Sequence, residues 1–393
     1  MKNLFNKRKL LWFVQVLVYT GLTLFFVVPV SCSVSEQGIQ IVSGDFDSPV
    51  LEEVQVVDSR HTRLIFSERI KISGAVVTEF VEGQSDSDEH SEDENLSVAL
   101  KKSVLPENPL KTKISISEDG KTALFELEEE TKIGKKYCIF GIVVDSNGNS
   151  LTFNVSFTGF NPRIPKILMT EIQNQCPNQK ASEKSADIFR TEFVEFLCLE
   201  DGNLCGLELY SASKGSKVSY EFPSVEVCKG DVIVVHPRKK GKGCLNETGE
   251  NLLAAYSGYA SSCRDLWAEN SEPPFGKSED IIIIREKASQ KIYDAFAYAD
   301  YDASKKTYEN SAQELFQSDL AQQILAEGIY KNFEPAQVGN MNDKTAVKTF
   351  YLKNAAEIQA KLLAGEDIQN YTNTSEKYWS VCDKKTQDTA GKL

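Results

Sequence analysis

From residue 45 the chain alternates apolar and polar positions with a period of two, the spacing of half-buried strands. In "RHTRLIFSERI" Leu64 and Phe66 fall on one face, and in "DGKTALFELEE" an Asp-Gly turn leads to Ala123, Phe125 and Leu127 on one side. "KKYCIFGIVVDSNGNS" reads as a nearly continuous buried strand that ends in an Asn-Gly turn. "LTFNVSFTGF" alternates at Leu151, Phe153, Val155 and Phe157. Together these predict a β-sandwich over residues 45–160. Two prolines in "GFNPRIPK" mark a stiff linker at 161–165.

A second β-region follows. "KILMTEI" is a strand, and "TEFVEFLCLEDGNLCGLELYSA" predicts a hairpin turning at Asp201, Gly202 and Asn203. "VSYEFPSVEVCKGDVIVVH" gives a strand, a Lys-Gly turn and a buried strand, and "FGKSEDIIIIREKASQKIYDAFAYAD" gives two more. From residue 311 to about 365 the period lengthens to near four. Ser311 and Glu314 have the spacing of a capping box, Phe316, Leu320 and Ile324 share a face, and Gly328 is a natural stop. A second helix is expected to carry Val347, Phe350, Tyr351, Ile358 and Leu362 on one side and to end at Gly365. The predicted fold is mainly β. Two sandwiches stand in tandem, and the second, at 166–393, carries a helical insertion at about 303–366 before a last strand near Trp379.

The N-terminus departs from this pattern. Four of the first nine residues are basic and none is acidic, and residues 10–30 carry no charge. A basic start, an apolar run and a small residue before Cys32 make an export signal over residues 1–31. A polar tether over 32–44 would follow it. Three fates fit the run: removal with lipid attachment at Cys32, ordinary cleavage after Ser33, or retention as a membrane anchor.

The full chain has 44 Lys+Arg against 57 Asp+Glu, a net charge of −13, and loss of the leader would remove only positive charge. Nucleic acid is therefore not an expected partner. The nine cysteines fit an oxidising compartment. No Cys-x-x-Cys pair exists, which excludes zinc-ribbon and thioredoxin-like readings. Cys198 with Cys205, and Cys244 with Cys263, flank short segments and are the candidate disulfides.

Several of these motifs match known families. Ile65-Phe66-Ser67-Glu68, residues 117–122, and Asp145 with Gly148-Asn149 resemble the bacterial Ig-like domains of surface-layer and other envelope proteins. In the second region Thr170-Glu171 and residues 192–195, 204–209, 220–223 and 230–235 match in order the pattern of the lamin-tail domain. Residues 278–284 and 294–300 match its later part. That domain is an Ig-like sandwich of nuclear lamins and of many exported bacterial proteins. Val30, Ser31 and Cys32 resemble the lipobox of bacterial lipoproteins in its looser spirochaetal form. Pro29 departs from it, since an aliphatic residue is usual there.

Other candidate chemistry has a plainer reading. Eight acids lie between Glu79 and Glu94, but an EF-hand counted from Asp86 has Ser91 and Ser97 where glycine and glutamate belong. A solvated loop is expected. "HPRKKGKGC" is a basic surface loop first and an anion or polysaccharide site second. Gly120-Lys121-Thr122 and Gly276-Lys277-Ser278 mimic the end of a phosphate loop, yet Ser115 and Ser271 replace its first glycine. His61, His90 and His236 lie in separate segments. No hydrolase elbow or zinc motif occurs, so no enzyme activity, cofactor or metal is expected.

The expectation is a non-catalytic, exported envelope protein, lipid-anchored to the outer or inner membrane and facing the periplasm or the surface. It would bind an unknown protein or polysaccharide ligand. The alternatives are a self-associating envelope component or an accessory subunit of an exported hydrolase or nuclease.

Overall fold

The computed structural model describes residues 31–35, 38–42, 47–80, 109–175, 191–239, 241–256, 263–346, 348–366, 368, 379–382 and 390–393. Residues 1–30 of the leader, the acidic stretch beyond residue 80 with His90, Val347 and Cys176 lie outside the described residues. The chain divides into two compact units. One comprises Met1–Glu130 and Lys135–Thr158, the other Thr131–Gly134 and Gly159–Leu393.

A short antiparallel pair comes first, β1 (Ser31–Ser35) and β2 (Gly38–Val42), with the Cys32 backbone opposite Ile41. The first unit continues with β3 (Leu51–Val56), β4 (His61–Phe66), β5 (Lys71–Glu79), β6 (Thr112–Ile116), β7 (Thr122–Leu127), β8 (Lys136–Val144) and β9 (Ser150–Thr158). They form a four-stranded sheet in the order β3-β4-β7-β6 and a three-stranded sheet in the order β5-β8-β9. The alternating positions supply the core. Leu64, Phe66, Ala123, Phe125 and Leu127 from one sheet meet Val77, Ile139, Val143, Phe153 and Phe157 from the other. β4 and β7 thus bury every second side chain, as the sequence period requires, while the central β8 is buried nearly throughout.

The second unit contains β10 (Ile167–Gln173), β11 (Phe193–Cys198), β12 (Gly202–Asn203), β13 (Leu207–Ser211), β14 (Tyr220–Glu221), β15 (Glu226–Val227), β16 (Val232–His236) and β17 (Arg264–Trp267). After these come β18 (Asp280–Glu286), β19 (Ile292–Ala299), β20 (Tyr301–Asp302), β21 (Thr307–Tyr308), β22 (Gly339–Asn340), β23 (Phe350–Leu352) and β24 (Trp379–Val381). A six-stranded sheet runs β17-β16-β11-β10-β23-β24 and a five-stranded sheet runs β14-β13-β18-β19-β22. Their shared core includes Met169, Ile172, Val194, Phe196, Leu209, Ile282, Ile284, Phe296, Tyr298 and Phe350.

Three helices, α1 (Asn310–Phe316), α2 (Asp319–Ala326) and α3 (Ala355–Leu363), cover the outer faces of this sandwich. α1 and α2 place Ala312, Phe316, Ala321 and Ile324 on Ile281, Ile283, Ala295 and Ala297 of the five-stranded sheet. α3 places Ala355, Ile358 and Leu362 on Leu168, Leu197 and Leu352 of the six-stranded sheet. Both sheets are therefore covered on two faces. This explains the unbroken run "IIIIRE" and the fully buried β10 and β11.

Three expectations are corrected. The segment around Asp201-Gly202-Asn203 is not a hairpin. β11 belongs to the six-stranded sheet and β13 to the five-stranded one, so the chain crosses between sheets and Gly202–Asn203 pairs with β15 instead. The helical stretch is not one insertion, because β22 and β23 interrupt it and complete both sheets. Phe350 and Tyr351 accordingly sit in a strand and not on the second helix. The first predicted helix is split at Gln317 and Ser318, and the side chain of Ser318, not Ser311, caps a helix by accepting from the Ala321 N–H. Gly328 and Gly365 do act as stops, with φ of +73° and +81° that favour glycine.

Candidate functional site

The outer face of the six-stranded sheet holds the densest group of buried ionisable side chains. Along β11, Val194, Phe196 and Cys198 enter the core, so Phe193, Glu195 and Leu197 point outward. Glu195 stands opposite Glu171 of β10 in the pairing register. Neither is solvated, at 1% and 3% exposure. The Thr170 hydroxyl donates to Glu195 Oε1 at 2.7 Å and the Gly391 N–H to Oε2 at 2.7 Å. The Thr349 hydroxyl donates to Glu171 Oε1. Burial, followed by the negative charge of Glu171, pushes the Glu195 carboxyl up to about 8.

The C-terminal residues form the lid of this face. Ala390 packs on Phe193 and Val234, and the Gly391 carbonyl accepts from Cys263 Sγ at 3.3 Å. Two residues along β10 from Glu171, Gln173 Oε1 accepts from Lys344 Nζ at 2.9 Å, and burial lowers that ammonium to about 7.

Further along the same face, His236 is fully buried. Its Nε2 is 2.9 Å from Asp265 Oδ1, its Nδ1 is 3.4 Å from Thr191 Oγ1, and its ring stacks on Trp267 at 3.7 Å. Both ring nitrogens are thus engaged, and the histidine braces the β16-β17 edge. The basic stretch that begins at His236 does not gather its charges. Arg238 pairs with Glu192 at 3.0 Å and Lys239 with Glu269 at 2.7 Å.

The other sequence candidates resolve into structural roles. His61 Nδ1 lies 2.9 Å from both Asp58 oxygens. Gly120-Lys121-Thr122 lies in the turn between β6 and β7, and the Gly276 N–H donates to Asp280 ahead of β18, so neither stretch precedes a helix. Asp145 accepts from the Asn147 and Asn149 N–H groups at 2.8 Å and organises its turn.

The candidate disulfides are corrected as well: the structure joins neither pair. Cys198 points into the core between the sheets, whereas Cys205 lies on the crossover beyond β12. Cys244 packs with Ala255 and Trp267, while Cys263 contacts the C-terminal segment. Burial, then the charges of Glu195, Asp265 and Asp231, pushes the Cys263 thiol up to about 11. The side chain of Cys32 lies outside the described residues. Among the described residues no group of three or more His, Cys, Asp or Glu could hold a metal ion, and no helix is long and apolar enough to cross a membrane.

An open groove of about 320 Å³ lies by the first two helices, lined by Tyr308, Phe316, Phe333, Gln313 and Lys331. Phe316 and Phe333 stack at 4.9 Å, and the buried Tyr308 hydroxyl has no hydrogen-bond partner. Sequence reading missed this groove, because its wall is assembled from β21, α1 and the chain beyond α2.

Comparison with known proteins gives relatives but no activity. An uncharacterised protein of Treponema pallidum (strain Nichols) is 27% identical over 171 residues, which is 43% of this chain and 41% of that protein. The chain thus matches about two fifths of the length of that relative. Among solved structures, the N-terminal part of the bacterial S-layer protein SbsC matches at 16% identity and a TM-score of 0.23, covering 65% of this chain and 44% of that one. A DUF4876 family protein from Bacteroides thetaiotaomicron matches at 11% identity and a TM-score of 0.31, covering 69% and 91%. Likenesses this weak carry nothing about function. The family model described as TP_1001_2nd, protein second domain, matches residues 165–381, and because that is more than half of the chain the protein belongs to this family.

Proposed function

We propose that the protein is a non-catalytic lipoprotein of the cell envelope, anchored through a lipid on Cys32 and working as a binding and tethering module. The observation that carries this reading is the leader: four basic residues, then 21 uncharged ones, then Ser31 and Cys32. A single acyl chain holds a protein only marginally, whereas a multiply acylated cysteine supplies stable anchoring. The acidic balance of the chain supports a soluble body held off an anionic lipid surface. We read the first unit as a bacterial Ig-like spacer and the second as a lamin-tail-like module. The two-sheet architecture of each and the motif positions given above support that reading.

A non-catalytic role is supported by the engagement of His236 at both ring nitrogens and by the absence of solvent access to Glu171 and Glu195. Loops and the aromatic groove at Tyr308 offer a surface for a protein or polysaccharide ligand. The test is metabolic labelling with radioactive palmitate. The wild type should take up label and partition into detergent, and Cys32→Ala should lose both. An unlabelled wild type, or equal label in the variant, removes the anchor.

A further inference from the structure

Sheet edges expose unpaired backbone groups, and soluble proteins protect them with charge, bulges, shortness or a covering segment. Three of the four edges of the two larger sheets in the first unit are protected in this way. β3 carries Glu52 and Glu53 and a register shift between Leu51 and Glu53. β6 is five residues long and bears Lys113, which pairs with Glu126. β5 has a register shift between Ile72 and Gly74, and Leu110 bridges to Val77 along its outer side. In the second unit the edge strands β14, β17, β22 and β24 have two to four residues each.

β9 is different. It runs for nine residues, "SLTFNVSFT", pairs only with β8 among the described residues, and keeps register throughout. It contains no charge, no proline and no glycine. Its outer side chains Thr152, Asn154, Ser156 and Thr158 are exposed, and Leu151 and Val155 are only partly buried at the rim of the core. In an antiparallel ladder half of the N–H and C=O groups of such a strand point away from its neighbour.

The strand also complements itself. Turned antiparallel about Asn154, Val155 opposes Phe153, Leu151 opposes Phe157, Thr152 opposes Ser156 and Ser150 opposes Thr158. Apolar side chains meet apolar ones on the inner face and small hydroxyl residues meet on the outer face. No like charges face each other, which is the usual barrier to homotypic pairing.

We infer that β9 is a homotypic docking edge: two copies of the chain pair antiparallel through β9 about Asn154, joining two three-stranded sheets into one of six strands. The occupant is a second copy and not an unrelated strand, because the edge offers no charge or pocket to select another sequence, whereas its pattern matches its own reverse. The inference does not depend on the lipid anchor.

Equilibrium sedimentation of the full chain in detergent tests it. The wild type should show a concentration-dependent monomer–dimer equilibrium. Asn154→Lys and Asn154→Glu each set like charges across the two-fold and should raise the dissociation constant about tenfold or more. Mixing the two variants should restore the association. Because Asn154 faces itself, Asn154→Cys should cross-link to a dimer on mild oxidation far more than Thr152→Cys does. A wild type that stays monomeric overturns the inference. So does undiminished association in the lysine variant, a mixture that fails to recover, or equal cross-linking at 152 and 154.

Discussion

Alanine in place of Asp280 is expected to destabilise the second unit by about 4 kcal/mol, read as a lower urea midpoint. Asp280 is fully buried at the start of β18, yet it is not an idle charge. Its Oδ2 accepts from the Gly276 N–H at 2.7 Å and from the Ser211 hydroxyl at 2.5 Å, and its Oδ1 accepts from the Ser213 N–H at 2.9 Å. It therefore ties the loop before β18 to the chain that leaves β13. The same loop is held from the other side, where the Tyr298 hydroxyl donates to the Gly276 carbonyl at 2.6 Å.

Removing the carboxylate strands these three donors from other segments, besides the adjacent Ile281 N–H, in a dry interior, each at a cost of about 1–3 kcal/mol if no water enters. Ser211→Ala deletes one donor together with its bond and should cost about 1 kcal/mol. A loss in Asp280→Ala no larger than that of Ser211→Ala would show that the loop relaxes and finds water.

Asp280 also shows what the sequence made legible. Its place in "KSEDIIII" fits a spaced pattern, and the strand after it follows from the apolar run. The fully buried strands could be recognised because both faces of each sheet are covered, so alternation gives way to continuous apolar residues. What local period could not decide was which sheet each strand joins. The turn residues Asp201, Gly202 and Asn203 are those of a hairpin, yet β11 and β13 part to opposite sheets because each finds a longer partner, β10 and β18. Phe350 and Tyr351 were likewise ambiguous. An apolar pair near a helix fits a helical face, and only pairing with β10 and β24 makes it a strand.

The candidate site was hidden for a related reason. Glu171 and Glu195 occupy the phase of β10 and β11 that alternation assigns to solvent. They are buried because Gly391, Thr349 and α3, all distant in sequence, come to lie over that face. Burial of a polar residue by a remote segment leaves no mark on the strand that carries it.

That burial carries the second prediction: the protein should lose stability between about pH 4.5 and 7, and Glu195→Gln should remove about 1.4 kcal/mol per pH unit of that loss. In the unfolded chain Glu195 releases its proton near the ordinary carboxylate value of 4.5, but in the folded protein it holds the proton to about 8. Between these values the folded state binds one more proton than the unfolded state. The free energy of unfolding therefore falls by about 1.4 kcal/mol per pH unit, or roughly 3 kcal/mol by pH 7.

Above that, Lys344 acts in the opposite sense. Burial lowers its ammonium from 10.5 to about 7, so the unfolded state binds the extra proton from there to 10.5 and stability gains with pH. Burial raises the Asp280 carboxyl in the same sense as Glu195. The slopes of Glu195 and Lys344 cancel between about 7 and 8, which leaves pH 5–7 as the window in which Glu195 acts without Lys344. The groups facing Glu195 there are Glu171 across the ladder, the Thr170 hydroxyl, the Gly391 N–H and the Cys263 thiol. Glutamine keeps the shape and turns its oxygen to the Gly391 N–H, while the Thr170 hydroxyl can rotate to accept from its amide. Urea unfolding at half-unit steps should give a shallower fall for Glu195→Gln than for wild type over pH 5–7 and a variant more stable than wild type at pH 7. Lys344→Met should leave the fall over pH 5–7 intact, extend it to about pH 8 and remove the gain that Lys344 supplies above that. An unchanged slope in Glu195→Gln would mean that the proton lost over this range belongs to another group.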